Sequence, residues 1–248
     1  MPFCTNCGTH LEVESSFCVG CGRTLGSTTR KMAAAAAPAA APEPLDYTIQ
    51  GENQQVIRIR LKPGQEVFAE AGKMVYKFPE VQWENQGNGN GWLARFYATS
   101  PSEVGFAGTS PGRIQAFNLK EGQSMLVARE GFLCAQTTAR LDVAPVAKPG
   151  GEGVTLKRLT GPGTIFIHGG GGFIEFVLNP GQVIQVETSA IVAFDGDVSC
   201  EAETELPGRE GPVLATMTGP GRVVIQSMTA GKVRRASLEH EAVPAMSL

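Results

Sequence analysis

Four cysteines near the start of the chain have the spacing of a zinc site. They are Cys4, Cys7, Cys18 and Cys21, and they form two Cys-x-x-Cys units that are each followed by glycine. A Cys-x-x-Cys turn directs two thiolates at one point, and two such turns complete the tetrahedral coordination of structural zinc. The sequence therefore predicts one bound Zn²⁺ with these four ligands. Two disulfides are the alternative, but they require an oxidising compartment.

The residues around these cysteines also repeat. The pattern Phe-Cys-x-x-Cys-Gly-x-x-Leu occurs at residues 3–11 and again at 17–25. So short a segment cannot bury a core of its own, so the metal must supply the free energy of folding. The segment resembles short N-terminal zinc ribbons. Because a closed Cys₄ site leaves no position for water or substrate, we expect the ribbon to bind a protein partner rather than to catalyse.

Two further motifs resemble those of serine esterases. Gly-Thr-Ser-Pro-Gly at 108–112 has the pattern of a nucleophile elbow around Ser110, and residues 168–172 read His-Gly-Gly-Gly-Gly, like an oxyanion loop. In such an elbow the residue after the serine donates its N–H, and Pro111 has none. The glycine loop also follows the serine, the reverse of the order in hydrolases. We therefore expect no catalytic residues and no enzyme activity, with a hydrolase as a remote alternative.

The elements that would position all these residues are β-strands. Beyond Leu45 apolar and polar residues alternate with a period of two, as in residues 56–61 and 173–178, and Gly and Pro separate the alternating segments. Before them lies an Ala/Pro-rich stretch, which predicts a flexible linker. The chain is thus predicted to be all-β, with a zinc ribbon at 1–25, a linker at 26–45, a β-domain at 46–230 and a C-terminal tail at 231–248.

The β-domain contains an internal repeat. The motif Leu-x-x-Gly-Gln begins at Leu61, Leu119 and Leu178. A turn motif, Thr-Ser-Pro-Gly or Thr-Gly-Pro-Gly, begins at Thr109, Thr160 and Thr218. On this alignment the first module lacks the turn and the end of the chain lacks the hairpin. We therefore expect a permuted ring, in which residues 47–61 pair with the segment that begins at Thr218.

These signatures resemble those of the family named for altered inheritance of mitochondria. The resemblance rests on Ala-Glu-Ala-Gly at 69–72 and on the Thr-Gly-Pro-Gly and Leu-x-Pro-Gly-Gln motifs, and it extends from about Tyr47 to Met228. It implies three β-modules like the tryptophan RNA-binding attenuation protein (TRAP), arranged about a pseudo-threefold axis. Mitochondrial members are linked to inner-membrane organisation. Relatives often carry a longer apolar insertion than residues 85–100, so peripheral membrane contact is left open here.

Composition narrows the choice of partner. A net charge of -3 and a charged fraction of 18% disfavour nucleic acid. No apolar run reaches the roughly 18 to 20 residues of a membrane span, and no signal peptide is evident, so we expect a cytoplasmic protein. The leading hypothesis is a non-enzymatic scaffold of undetermined oligomeric state, and the alternative is RNA or small-ligand binding between modules. One aromatic-rich set forms either a binding surface or a cap on the core: Trp83, Trp92, Arg95, Phe96 and Tyr97.

Overall fold

The computed structural model describes residues 7, 9, 20, 21, 42–86, 93–148, 151–204, 213–229 and 231–232. The chain divides into two compact parts, Met1–Ala40 and Ala41–Leu248. Among the described residues of Ala41–Leu248, the regular structure is almost entirely β-strand, which confirms the predicted all-β class. No helix in these described ranges is long and apolar enough to cross a membrane.

The strands in chain order are β1 (Asp46–Gln50), β2 (Val56–Leu61), β3 (Glu66–Glu70), β4 (Met74–Lys77), β5 (Val81–Asn85), β6 (Leu93–Ala98), β7 (Ser102–Ala107), β8 (Gly112–Leu119), β9 (Ser124–Ala128), β10 (Phe132–Gln136), β11 (Arg140–Lys148), β12 (Gly151–Thr160), β13 (Gly163–Gly170), β14 (Phe173–Leu178), β15 (Val183–Glu187), β16 (Ile191–Asp195), β17 (Ser199–Thr204), β18 (Val213–Thr218) and β19 (Gly221–Gln226). Three short 3₁₀ helices lie at Ala71–Lys73, Arg129–Gly131 and Thr188–Ala190.

These strands form four antiparallel sheets. The first has the order β1-β2-β7-β4, the second β5-β6-β3-β10-β13-β8, the third β11-β12-β9-β16-β19-β14 and the fourth β15-β18-β17. The second and third sheets have six strands each, whereas the first and fourth are shorter.

One set of pairings occurs three times along the chain. We define unit 1 as β2–β7, unit 2 as β8–β13 and unit 3 as β14–β19. In each unit the first strand pairs with the sixth, the sixth with the third, the second with the fifth and the fifth with the fourth. The third strand carries a register shift at the equivalent place each time, at Val75, Leu133 and Val192.

Consecutive units are joined by strand pairing. The second strand of one unit pairs with the third strand of the next, as β3 with β10 and β9 with β16. The joined sheets are apolar on both faces. In β3, for example, Val67 belongs to the core between the first and second sheets, and Phe68 to the core between the second and third. A third core lies between the third and fourth sheets. The domain is therefore four sheets with three cores between them.

The predicted ring closure is wrong. Strand β2 pairs with β1 and β7, and β19 pairs with β14 and β16, so residues 47–61 do not pair with the segment after Thr218. The reason is that unit 1 has its own turn, Thr-Ser-Pro-Ser at 99–102, which precedes β7 as the Thr-Gly-Pro-Gly turns precede β13 and β19. The motif at Thr109 instead precedes β8, so the repeat is not permuted.

The Leu-x-x-Gly-Gln motif is a turn between the first and second strands of each unit. Its glycine lies in the left-handed region, with φ of 87° at Gly64 and 76° at Gly122 and Gly181. Its glutamine side chain accepts a hydrogen bond from the backbone N–H three residues earlier, over 2.8 Å in unit 2 (Lys120 to Gln123) and 3.0 Å in unit 3 (Asn179 to Gln182). The motif therefore closes a turn rather than a binding loop.

Candidate functional site

One contact joins the described residues of the two Cys-x-x-Cys segments. Of the four predicted ligands, Cys7 and Cys21 are described and exposed, and Cys4 and Cys18 lie outside the described residues. Gly20 lies against Thr9, since a methyl group at Gly20 would be 2.3 Å from the Thr9 hydroxyl oxygen. That oxygen is in turn 3.2 Å from the Cys7 sulfur. The described residues contain no group of three or more metal ligands.

The two esterase-like motifs also come together, beside a cavity of about 450 Å³. Strand β8 follows Ser110 and pairs with β13, which places His168 opposite Ile114 and both Ser110 and His168 at the cavity wall. Their proximity is not encoded by any local pattern, because only the pairing of β8 with β13 makes the two segments neighbours.

His168 has the surroundings of a structural histidine. It is 5% exposed, and it lies at the cavity wall with Ser110. Glycines leave room for the ring, since a methyl group at Gly108 would be 2.2 Å from Nε2 and one at Gly112 would be 2.8 Å away. Burial and the positive charge of Lys73 lower the pKa of His168, so the imidazole is neutral at pH 7.

The cavity lies at the junction of units 2 and 3. Its lining comes from the second and third 3₁₀ helices, the ends of β13 and β19 and the segment after β19, and includes Arg129, Glu130, Ser189, Ile191, Gln226 and Met228. The Gln226 side chain fixes this wall, because it accepts from the Gly170 N–H over 2.8 Å and donates to the Ser189 carbonyl over 2.9 Å. The cavity therefore combines an apolar wall with hydroxyl, amide and imidazole groups.

The equivalent place between units 1 and 2 is occupied by lysines. Lys73 is 4% exposed and donates to the Glu130 carbonyl over 3.3 Å, and burial lowers its pKa. Lys157 pairs with Glu70 and lies 4.8 Å from the centre of the Phe132 ring. In unit 2 the position equivalent to Lys73 is Gly131, which has no side chain and lines the cavity.

The aromatic-rich set does not form one surface. Phe96 is buried and contacts Phe106, with ring centres 5.1 Å apart. Trp83 is opposite Phe96 in β5, and so is on the same face of the sheet, but it is 51% exposed at the edge. Arg95 and Tyr97 are on the other face. Trp92 lies outside the described residues. Phe96 thus belongs to the core, whereas Trp83, Arg95 and Tyr97 do not.

Arg95 and Tyr97 belong to a polar cluster on that other face. The Arg95 guanidinium is 2.8 Å from a carboxylate oxygen of Glu84 and 3.3 Å from one of Glu66, and it stacks on the Tyr97 ring. Tyr97 donates to Glu84 over 2.9 Å. This guanidinium is engaged within its own sheet, so it is not the open Arg-aromatic patch that the sequence suggested.

A second polar cluster on the first sheet was missed by sequence reasoning. Arg58 donates to the Glu103 carboxylate over 2.9 Å, and Tyr76 donates to the same carboxylate over 2.6 Å. Burial alone would raise the pKa of Glu103, but the hydrogen bonds from Tyr76 and Arg58 together hold it below its usual value. The only sequence signal was the alternation of Arg58 and Arg60 with the buried Ile57 and Ile59.

Comparison with known proteins now connects this architecture to a family. The family model described as mitochondrial biogenesis AIM24 matches residues 47–228. The chain belongs to the AIM24 family. The AIM24 domain therefore includes all three units, and the predicted zinc ribbon precedes it. A crystal structure of a Streptococcus pyogenes protein is similar with a TM-score of 0.70 and 20% sequence identity, over 79% of this chain and 99% of that one. No curated protein is a match.

Proposed function

We propose that this AIM24 protein is a non-enzymatic scaffold, in which an N-terminal zinc ribbon recruits a protein partner to a rigid β-domain. The observation that carries the proposal is that both faces of the second and third sheets are packed, as adjacent Val67 and Phe68 illustrate. Sheets packed on both faces resist bending, because every displacement disturbs two cores at once. A rigid stack suits a platform more than it suits an enzyme that must close around its substrate.

We further propose that the three units are TRAP-like modules. The recurrence of the same four pairings in each unit supports this part of the proposal. A pseudo-threefold ring would need a third junction between units 3 and 1, and the described strands pair only at the first two. The family description links AIM24 to mitochondrial biogenesis, so membrane organisation is the process in which we place the scaffold.

The zinc ribbon is the proposed recruiting element. The contact of Gly20 with Thr9 supports a shared site for the four thiolates of Cys4, Cys7, Cys18 and Cys21. Bound there, Zn²⁺ would supply the folding free energy that so short a segment lacks. The chain's own contribution would be the two Cys-x-x-Cys-Gly segments, which would bring the four thiolates together.

The test combines metal content with partner capture. We expect one zinc per chain, lost in Cys4→Ser and Cys21→Ser and kept in His10→Ala, which removes a neighbouring residue outside the predicted ligand set. The same cysteine variants should fail to retain a partner that the wild type and His10→Ala capture from native lysate, while the circular dichroism of the β-domain is unchanged. Zinc-free protein after anaerobic purification would contradict the metal site, and capture unaffected by zinc loss would contradict the recruiting role.

A second candidate function is the binding of a small molecule at the cavity between units 2 and 3. Its volume of about 450 Å³ is within the range of ligand sites, and buried His168 supplies a polar group at its wall. Native mass spectrometry of the purified full chain should then show a bound small molecule that Ser189→Trp excludes. Identical spectra without added mass for both proteins would remove this candidate.

A further inference from the structure

The first and fourth sheets are two halves of the same kind of sheet. The second sheet places the fourth, fifth and second strands of unit 1 beside the third, sixth and first strands of unit 2, and the third sheet repeats this order with units 2 and 3. The fourth sheet, β17-β18-β15, has only the first half of this order, and the first sheet, β4-β7-β2, has the second half followed by β1. The fourth sheet ends at β15 and the first sheet at β4, and the equivalent strands of the second and third sheets pair with each other at the junction between units. Among the described strands, β15 and β4 both lack a partner on that side.

Exposure of equivalent residues shows that this third junction is open within one chain. Leu133 and Val192 occupy equivalent bulge positions and are 0% and 1% exposed, because each enters the core of the preceding unit. Val75 is the equivalent residue of unit 1, which has no preceding unit in this chain, and it is 57% exposed. Phe78, directly after β4, and Val183, in β15, are also exposed. Three large apolar side chains therefore lie at the two incomplete edges.

We propose that β15 of one copy of this chain pairs with β4 of a second copy, which completes a sheet of the same order as the second and third sheets. The occupant of each open edge is thus another molecule of the same protein, added head to tail. The two junctions within the chain set the register. Within the chain, Phe68 is opposite Ala135 and Leu126 is opposite Phe194. Gln185 of β15 is equivalent to Phe68 and Leu126, and Lys77 of β4 is equivalent to Ala135 and Phe194. Gln185 of one copy is therefore expected opposite Lys77 of the other. In this arrangement Val75 of one copy packs on the third core of the other copy, the core between the third and fourth sheets.

A second copy would cover the charged groups on β7, the strand beside β4. The Glu103 carboxylate already accepts from Arg58 and Tyr76, so this carboxylate would not be buried without a partner. A charge at the equivalent position is also tolerated inside the chain, where Arg222 of unit 3 lies 5.1 Å from the centre of the Phe117 ring of unit 2. Unpaired backbone groups at an open strand edge favour the addition of another strand.

The new junction is weaker than the two internal ones. Phe68 and Leu126 each contribute a buried side chain to the next core, whereas Gln185, at the equivalent position in β15, is polar and exposed. Association is therefore reversible and depends on concentration. It does not involve the zinc ribbon, so it stands or falls separately from the proposed recruiting role.

Sedimentation velocity of the full chain over a wide concentration range tests the association. We expect the mean mass to rise with concentration for the wild type, and Val75→Asp to weaken association about 10- to 100-fold, as expected for the loss of one buried valine. Val143→Asp is the matched control, because Val143 is 72% exposed on β11, away from both edges, and should associate like the wild type. A wild type that is monomeric at all concentrations, or equal effects of the two variants, would overturn the proposal.

Cross-linking tests the register and the identity of the partner strand. A Lys77→Cys chain mixed with a Gln185→Cys chain should form a disulfide between residues 77 and 185, identified by peptide mass spectrometry, because paired Cα atoms are within disulfide range. Replacing the second chain by Glu201→Cys, on the far strand of the same sheet, should give no such link. A chain with both Lys77→Cys and Gln185→Cys that links only within itself would overturn the proposal in favour of a closed ring.

Discussion

The shared cores make a quantitative prediction for three equivalent residues, Val75, Leu133 and Val192. Leu133→Ala removes three carbons from a fully buried side chain, which costs about 2.4 kcal/mol in transfer free energy, and the cavity raises this to about 3–4 kcal/mol. Val192→Ala removes two carbons at a site that is 1% exposed and should cost about 2 kcal/mol. Val75→Ala removes the same two carbons, but at 57% exposure it should cost at most about 0.7 kcal/mol.

The assay is urea unfolding followed by two signals at a protein concentration low enough to keep the chain monomeric. Tryptophan fluorescence reports on unit 1 through Trp83, and far-ultraviolet circular dichroism reports on all three units. Because Leu133 of unit 2 lies in the core of unit 1, Leu133→Ala should shift both transitions together. The shared core would be refuted if Leu133→Ala lowered the free energy of unfolding by less than about 1 kcal/mol, or if the fluorescence transition separated from the circular dichroism transition. Equal costs at Leu133 and Val75 would show that β4 is covered within the monomer.

Three further predictions address the turns, the charged cluster and the start of the β-domain. Gly122→Ala should lower stability by about 1 kcal/mol in thermal unfolding and Gly122→Asn by less, because φ is 76° and a Cβ there would touch nothing, so the whole effect is conformational. Glu103→Gln should lower the free energy of unfolding at neutral pH, because the pKa of Glu103 is lowered in the folded protein and its ionised carboxylate therefore stabilises the fold. The stability difference between wild type and variant should vanish as pH falls below the ordinary glutamate pKa of 4.5, where the carboxylate becomes protonated. A difference that does not depend on pH would contradict this. Deleting residues 1–41 should leave cooperative melting intact, whereas deleting residues 1–61 should give insoluble protein, because that larger deletion removes buried Leu45 and β2; a soluble fragment that begins at Lys62 would contradict the shared first core.

The sequence was sufficient for the fold class and the family because those depend on local patterns. Alternation with a period of two is visible in residues 56–61, and the Leu-x-x-Gly-Gln motif marks the same turn three times because Gly122 and its equivalents need a left-handed backbone. The zinc prediction also uses local spacing, and it stays a prediction for all four cysteines, Cys4, Cys7, Cys18 and Cys21.

The errors arose where strand pairing decides the answer. The turn at Thr109 shares threonine, proline and the final glycine with the turns at Thr160 and Thr218, yet the real counterpart at 99–102 has Ser102 in place of that final glycine. Only the pairing of β2 with β7 identifies it. In the same way, the sequence leaves open whether Trp83 and Arg95 belong to a binding surface or to a cap on the core, and only the register of β5 and β6 shows that they lie on opposite faces. Arg58 and Glu103 meet across the β2–β7 pairing, which no local pattern encodes.

Differences between equivalent positions indicate which junctions are permanent. Where a junction exists in every molecule, the sequence supplies large apolar residues on both strands, as Phe68 and Leu133 do between units 1 and 2. At the two positions equivalent to these in the open edges, only β4 keeps a large apolar residue, with Val75 on β4 against Gln185 on β15. A terminal unit that only had to face water would gain by being polar on both strands, as the end units of repeat arrays are. The retained valine is 57% exposed and its strand edge has no pairing strand among the described residues, so it is the residue that a second molecule explains best.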